Sequence, residues 1–337
     1  MDGSVVEFLA SNETTRVRFP IRAFNYKMTE TEQSESQEKT KSFSKWYDKN
    51  YKLLLLIPIL LLVLSLGYIG YFYKTNGDFI KKDVSLTGGI TITIESGEEI
   101  NIRELNNKLS NNLDNFDIRE LSNRFTGKQE AIVIQSPIKD LDSSEISNFE
   151  SVIEEALGYE LTTENSSTEK TGSKFGESFY KQLILAIIIS FILMALVVFV
   201  IFRTFAPSMA VIISAFADII MTLALVNFLG IKVSGAGIMA FLMLIGYSVD
   251  TDIMLTTRLL KRKDSEINKR LSNAFKTGLT MTITSIIAIT VALIITKSFS
   301  DVLNQIFTVL LIGLSFDILN TWITNASILK WHLEAKK

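Results

Sequence analysis

The chain has 337 residues, 47% of them hydrophobic, with a formal net charge of −2 and a mean hydropathy of +0.28. It contains no cysteine, which excludes disulfides and thiolate chemistry, and its single histidine, His332, excludes a multi-histidine metal site. Near-neutral charge without a long basic tract argues against nucleic acid as a partner. Charged residues are dense in some stretches and almost absent from others, the pattern of an integral membrane protein with a modest soluble domain.

Residues 1–45 read as a cytoplasmic tail. Its stretch Thr29–Lys45 is rich in Glu, Ser, Thr and Lys and is expected to be disordered; Met28 offers a second plausible start. A membrane span needs about 20 mostly apolar residues. Leu53–Tyr73 supplies the first, within 46–73; it is too long and too far from the N-terminus for a cleaved signal peptide.

Residues 74–180 then form one large segment between spans. Thr91-Ile92-Thr93-Ile94 alternates like a strand after Gly88-Gly89, and Glu98–Asn111 reads as a helix with Ile102, Leu105 and Leu109 on one face. Phe116–Phe125 and Ala131–Gln135 are expected strands about a turn at Thr126-Gly127-Lys128. Asp142 to Glu145 caps a helix bearing Ile146, Phe149, Ile153 and Leu157, and Tyr159–Thr163 is expected as the last strand. The order βαββαβ is that of a ferredoxin-like unit. It shows no catalytic constellation and reads as a binding or lever domain.

Residues 181–331 hold five further spans: Leu183–Phe202, Thr204–Ile231, Val233–Thr257, Thr277–Thr296 and Val302–Leu329. Residues 332–337 are a short cytoplasmic tail. The expected fold is therefore a polytopic α-helical membrane protein of six transmembrane helices, with an α+β ferredoxin-like extracytoplasmic domain between helices 1 and 2. Lys and Arg mark the cytoplasmic side of short loops. Arg258, Lys261, Arg262, Lys263, Lys269, Arg270 and Lys276 cluster after the fourth span, and Lys45, Lys49, Lys52, Arg203, Lys330 and Lys336 agree with them. Both termini are thus expected inside the cell membrane and residues 74–180 outside. Trp46, Tyr51, Trp322 and Trp331 fit interfacial aromatic belts.

Four aspartates interrupt the apolar spans: Asp218, Asp250, Asp252 and Asp317. A carboxylate at the bilayer centre costs about 2.5–3.5 kcal/mol on insertion scales, so such residues face protein or a water-filled path. They are read as proton carriers, partner contacts or hydrogen-bonded links between helices. Burial disfavours the charged form of a carboxyl group, which suits it to reversible protonation. Helices three and six run opposite to four, so the depths of these residues can meet in one layer. Asp250 and Asp252 lie about 200° apart around their helix and cannot point at one spot. Asp252 shares a face with Ser248 and Thr256; Asp250 shares one with Gly246, where a helix can approach closely. Thr277, Thr280 and Thr284 form a stripe on helix five that either packs helices or hydrates a path beside Asp250. Asn320, Thr321, Thr324 and Asn325 on helix six could do the same, with Asn320 and Thr324 one turn apart.

Several strings resemble SecF-type protein-export proteins of the resistance–nodulation–division superfamily. Asp83-Val84-Ser85-Leu86-Thr87-Gly88-Gly89 resembles the D-x-x-x-T-G-G motif after the first helix, and Gly172-Ser173-Lys174-Phe175-Gly176-Glu177 the lead into the second. Gly246-Tyr247-Ser248-Val249-Asp250-Thr251-Asp252, running on to Arg258, resembles the fourth-helix signature. Lys276-Thr277-Gly278 with Thr280, Thr282 and Thr284 resembles the fifth-helix opening, and Phe316 to Trp322 looks archaeal. Bacterial members carry N-D-T followed by F-D-R, whose aspartate falls on Asp250 or on Thr251 according to the alignment chosen. The resemblance covers about residues 46–331.

The resemblance implies a SecF-like subunit of a complex with a SecD-like subunit, beside a SecYEG-type translocon, assisting exported polypeptides across the lipid bilayer. Bacterial members draw on the proton gradient, and Asp250 is the foremost candidate for that coupling. No cofactor and no enzymatic activity are implied. The alternatives are a proton-coupled small-molecule exporter of the same superfamily and a non-transporting scaffold for translocon assembly. An intramembrane aspartyl protease would need a G-x-G-D context, which Ile245-Gly246-Tyr247 ahead of Asp250 does not supply.

Overall fold

The computed structural model describes residues 50–95, 99–113, 115–122, 126–137, 143–261, 267–296 and 300–335. The tail of residues 1–45, Trp46, the Asp142 cap, Arg262, Lys263 and Lys336 fall outside them. Among the described residues six helices are long and apolar enough to cross a membrane. They are α1 (Leu56–Asn76), α5 (Ser173–Phe202), α6 (Phe205–Phe228), α7 (Gly235–Lys261), α8 (Ile267–Thr296) and α9 (Asp301–Leu319), the last continued by a π-helical turn, Asn320–Asn325, and α10 (Ala326–Ala335). More than half of the apolar window in α6 and α7 is buried (56% in each), against 11%, 6% and 11% in α1, α5 and α8. So α6 and α7 are central, with α9 packed on both, while α1 and α5 cover them from outside.

Between α1 and α5 stands a small α+β unit. A one-turn helix α2 (Val84–Thr87) leads into β1 (Gly89–Glu95), then α3 (Ile102–Ser110), β2 (Asp117–Ser122), β3 (Gln129–Ser136), α4 (Ser143–Leu157) and β4 (Ser166–Thr171). The sheet order is β2-β3-β1-β4 with every neighbouring pair antiparallel. Strand alternation sends Ile90, Ile92, Ile94, Ile132 and Ile134 to one face, where Leu105, Leu109, Phe149 and Ile153 of α3 and α4 cover them. Removing a side chain of that size from water is worth about 1.5–3 kcal/mol, which holds so small a sheet together.

The last strand differs from the expectation at Tyr159–Thr163. That segment is irregular and leads into a turn at Thr163–Asn165: Leu161 N–H donates to Glu154, Thr162 N–H donates to the Asn165 side chain, and the Asn165 amide donates to the Glu160 carbonyl. Local side-chain bonds of this kind compete with strand pairing. The edge of β1 is taken instead by Ser166–Thr171.

Trp322 is also placed differently. It is 6% exposed and packs edge-on against Phe275, ring centroids 5.0 Å apart, over Gly278. Trp331 is the exposed one of the pair. The π turn carries Trp322 inward, away from any interfacial belt. At the end of the bundle remote from the sheet, the Tyr51 hydroxyl donates to Glu334 at 2.7 Å, and Lys330 lies 4.8 Å from the Tyr51 ring centroid.

Candidate functional site: a carboxyl layer inside the bundle and a charged join above it

Three of the four aspartates are fully buried where α6, α7 and α9 cross: Asp218, Asp252 and Asp317 are each 0% exposed. Asp218 receives the Ser248 hydroxyl of α7 at 2.5 Å on one oxygen and the Asn320 amide at 2.7 Å on the other, so one carboxyl group ties three helices. Asp252 receives the Asn325 amide at 2.7 Å and the Ser214 hydroxyl of α6 at 3.4 Å on the same oxygen. Asp317 receives Thr321 at 3.0 Å, and Thr324 donates to the side-chain amide oxygen of Asn320 at 3.3 Å. Among the described residues no Lys or Arg makes a salt bridge to these carboxyl groups. One oxygen of Asp252, one of Asp317 and the Asn325 carbonyl have no hydrogen-bond partner among them either.

The π turn explains how Asn320 and Asn325 serve neighbouring carboxyl groups. Five residues along an α-helix turn through about 500°, leaving the two amides some 140° apart. A turn of i→i+5 bonding brings them closer to one side. Such turns interrupt helices where function requires it, and nothing in the string Asn-Thr-Trp-Ile-Thr-Asn announces this one.

The other expected site residues go elsewhere. Asp250 is exposed on the opposite flank of α7, with Gly246 and Tyr247, and does not join the layer. Ser248 serves Asp218 rather than Asp252, and the Thr256 hydroxyl has no hydrogen-bond partner among the described residues. Thr280 and Thr284 are exposed and bond their own helix, Thr280 to the Lys276 carbonyl at 2.7 Å and Thr284 to that of Thr280. Neither reaches an aspartate. Arg258 ties α7 to α8 by donating to Thr277 at 2.8 Å and to the Asn273 carbonyl at 3.2 Å.

The Asp83–Gly89 motif is a joint. Asp83 caps α2, accepting the Val84 N–H at 2.8 Å, and the Thr87 hydroxyl donates back to the Asp83 carbonyl at 3.2 Å. Gly88 has φ +83°, and a Cβ there would strike the Ser173 backbone at the start of α5. A Cβ on Gly176 would come within 2.9 Å of the Gly88 backbone. Residues before the motif pair with the turn between α6 and α7: Asp83 N–H to the Val233 carbonyl at 2.9 Å, Val233 N–H to Lys81 at 2.7 Å, and the Asn227 amide to Phe79 at 2.8 Å. Gln305 of α9 holds the same turn through Lys232 and Ser234. Asp78, beside it, is pushed up by partial burial but pulled further down by Lys82, 2.5 Å away, and the Tyr180 hydroxyl; its pKa lies below the ordinary carboxyl value.

A charged cluster completes the join. Arg119 on β2 lies 3.2 Å from Asp117, 3.7 Å from Asp83 and 3.9 Å from Asp301, the first residue of α9, and donates to Gln135 at 3.1 Å. Lys232 adds a 3.2 Å pair to Asp117. These partners are distant in sequence, and reading the sequence alone missed Arg119, Lys232, Gln305 and Asp301. It also missed Ser214 in the layer, although its spacing of four residues from Asp218 was a usable signal. Thr321 and Asn325 were among the polar residues of helix six that it did single out, without assigning them to a carboxyl group.

The sequence model for the family described as protein export membrane protein SecD/SecF, C-terminal, matches residues 152–335. The chain belongs to the SecD/SecF family of protein-export membrane proteins. It is 39% identical over 289 residues to the protein-export membrane protein SecF of Methanocaldococcus jannaschii, covering 85% of this chain and 96% of that one. With the SecF of Pyrococcus furiosus it shares 35% over 286 residues, covering 85% and 92%. It is a SecF-like protein-export membrane protein. Its fold is similar to the crystal structure of SecDF, a translocon-associated membrane protein from Thermus thermophilus, with a TM-score of 0.65 at 17% identity. That match covers 85% of this chain but 38% of the SecDF chain, which extends well beyond the shared part.

Proposed function

We propose that this SecF-like chain pairs with a SecD-like subunit beside a SecYEG-type translocon and couples proton movement to the export of polypeptides through Asp218, Asp252 and Asp317. The observation that carries this reading is the character of their partners: Ser214, Ser248, Asn320, Asn325 and Thr321 are all neutral. A hydroxyl or a carboxamide can donate to a carboxylate or, after rotation, accept from a carboxylic acid, whereas Lys and Arg only donate. Such a layer can take up a proton without stranding a buried cation and can stay hydrogen-bonded in either state, and each change of bonding alters how α6, α7 and α9 are tied. One elementary charge crossing 100 mV releases about 2.3 kcal/mol, enough to bias a two-state packing.

In the orientation we infer, both termini are cytoplasmic and the α+β unit is extracytoplasmic. The basic residues around Arg258–Lys276 support this through the positive-inside tendency, as does the meeting of Tyr51 and Glu334 at the end remote from the sheet. The α+β unit is read as ferredoxin-like, supported by its element order and all-antiparallel β4-β1-β3-β2 sheet. The Arg119 join then links α9, which bears Asp317, to β2.

The test is Asp218→Asn in the reconstituted complex. The variant is expected to assemble with the SecD-like subunit and the translocon yet lose the stimulation of export by an imposed proton gradient. Full stimulation with normal assembly would sink the coupling role and leave a scaffold.

A further inference from the structure

A crevice opens at the end of the bundle remote from the sheet, where the turn from α5 to α6 meets the last residues of α7 and α10. It encloses about 200 Å³ between the apolar walls Phe202, Pro207, Leu260 and Leu333, with Thr204 and His332 as its polar members. Among the described residues no acid lines it. Glu334, the acid of α10, stands about 200° round that helix from His332 and is held by Tyr51 and Lys330.

Depth decides what can reach this crevice. The uncharged run of α5, Leu183–Phe202, is 20 residues long. At 1.5 Å per residue that is about 30 Å, the thickness of the hydrocarbon layer. Arg203, the next residue, therefore stands at headgroup level, at the mouth of the crevice. Ile201 and Phe205, to either side of it, are 40% and 72% exposed, so the crevice faces lipid chains as well as water.

Arg203 adds a separate observation. It ends α5 in the left-handed region, φ +52°, the one non-glycine residue with positive φ among those described. Glycine or asparagine holds such a turn with less strain, so backbone geometry gives no reason for an arginine. Among the described residues its exposed side chain makes no hydrogen bond or ion pair, and neither does the half-buried imidazole of His332. Two donors thus flank an acid-free, apolar crevice without a partner inside the chain.

We propose that this crevice binds one anionic phospholipid of the adjacent leaflet, with Arg203 and His332 donating to its phosphate oxygens and the apolar walls covering the first methylenes of its chains. The guanidinium fork matches the oxygens of a phosphate, and an imidazole N–H supplies a further donor. Pockets for drug-sized soluble ligands run to about 300–1,000 Å³. This crevice is too small to enclose such a ligand, whereas a lipid needs only its headgroup seated, since its chains stay in the bilayer. Charge then selects among lipids. A zwitterionic headgroup brings its own cation towards Arg203, and an anionic one brings none.

Native mass spectrometry of the purified full chain, released from nanodiscs of equal phosphatidylglycerol and phosphatidylcholine, tests this. One retained phosphatidylglycerol per chain is expected, several-fold over phosphatidylcholine. Arg203→Asn, which suits the left-handed turn, combined with His332→Gln should lower that retention roughly tenfold, as loss of charge-assisted bonds at a membrane surface requires. Thr204→Phe, which fills the crevice and keeps both donors, should lower it as well. Lys269→Gln, which removes an exposed lysine at the start of α8, should not. Equal retention of the two lipids overturns the inference, as does undiminished retention in the double variant or in Thr204→Phe. An equal loss in Lys269→Gln would show general surface charge and overturn it too. Ready displacement of the lipid by inorganic phosphate would reassign the site to a soluble anion.

Discussion

The interior of the bundle and the join above it hold the same acidic residue by opposite means. Inside, Asp218, Asp252 and Asp317 are fully buried and receive hydrogen bonds only from hydroxyls and amides. At the join, Asp78, Asp83, Asp117 and Asp301 sit beside Lys82, Arg119 and Lys232, most of them partly exposed. A fixed cation makes a carboxylate a permanent charge, which serves geometry. A neutral, reversible partner leaves it free to change state. Water also screens the join, so its pairs are weak individually, each about 0–1 kcal/mol, and act as a set.

Neutralising the interior carboxyl groups one at a time should have the largest effect. Asp218→Asn and Asp252→Asn are each expected to abolish gradient-stimulated export in reconstituted vesicles, because each carboxyl group ties α6, α7 and the turn that continues α9. Equal stimulation in wild type and both variants would erase the distinction drawn between the two regions. Next comes the joint itself. Gly88→Ala forces a side chain into a positive-φ extended conformation that is essentially glycine-only, at about 1–3 kcal/mol, with the collision against Ser173 added to that. It should lower the yield and thermal midpoint of the purified protein, and a wild-type midpoint would argue that the joint is loose.

Arg119→Ala should cost less, about 1 kcal/mol, since its pairs are partly exposed. It is expected to leave the core intact while raising protease sensitivity of the α+β unit around β2, an effect that high salt should mimic in wild type. The smallest effect concerns Asp78. A carboxyl group whose pKa is depressed on folding contributes stability above its unfolded value, and loses it as pH falls through the folded value. The thermal midpoints of wild type and Asp78→Asn should therefore differ slightly at neutral pH and converge in acid. A gap that persists in acid would show that Lys82 does not act through charge.

Some of this was legible before any coordinates. Apolar runs of 20 or more residues announced the helices. Alternation and helical spacing announced β1, β3, α3 and α4, because side-chain periodicity is a local property. The Asp83–Gly89 and Gly246–Arg258 strings announced the family. The 200° offset between Asp250 and Asp252 separated the two residues correctly, but could not say which one faced inward. Strand β4 escaped because Ser166–Thr171 is polar and mostly exposed, with no alternation to read, whereas the neighbouring Tyr159–Thr163 alternates and is irregular.

By itself the sequence determined where apolar helices run, how many carboxyl groups they carry and which family they belong to, since each of these is written in residue order. Tertiary structure alone decided that Asp252, not Asp250, enters the layer, that a π turn aims Asn320 and Asn325 at different carboxyl groups, and that Arg119 meets Asp301 across 182 positions. The reason is physical. A helix has faces by local geometry, but which face is inside depends on every other helix that packs against it.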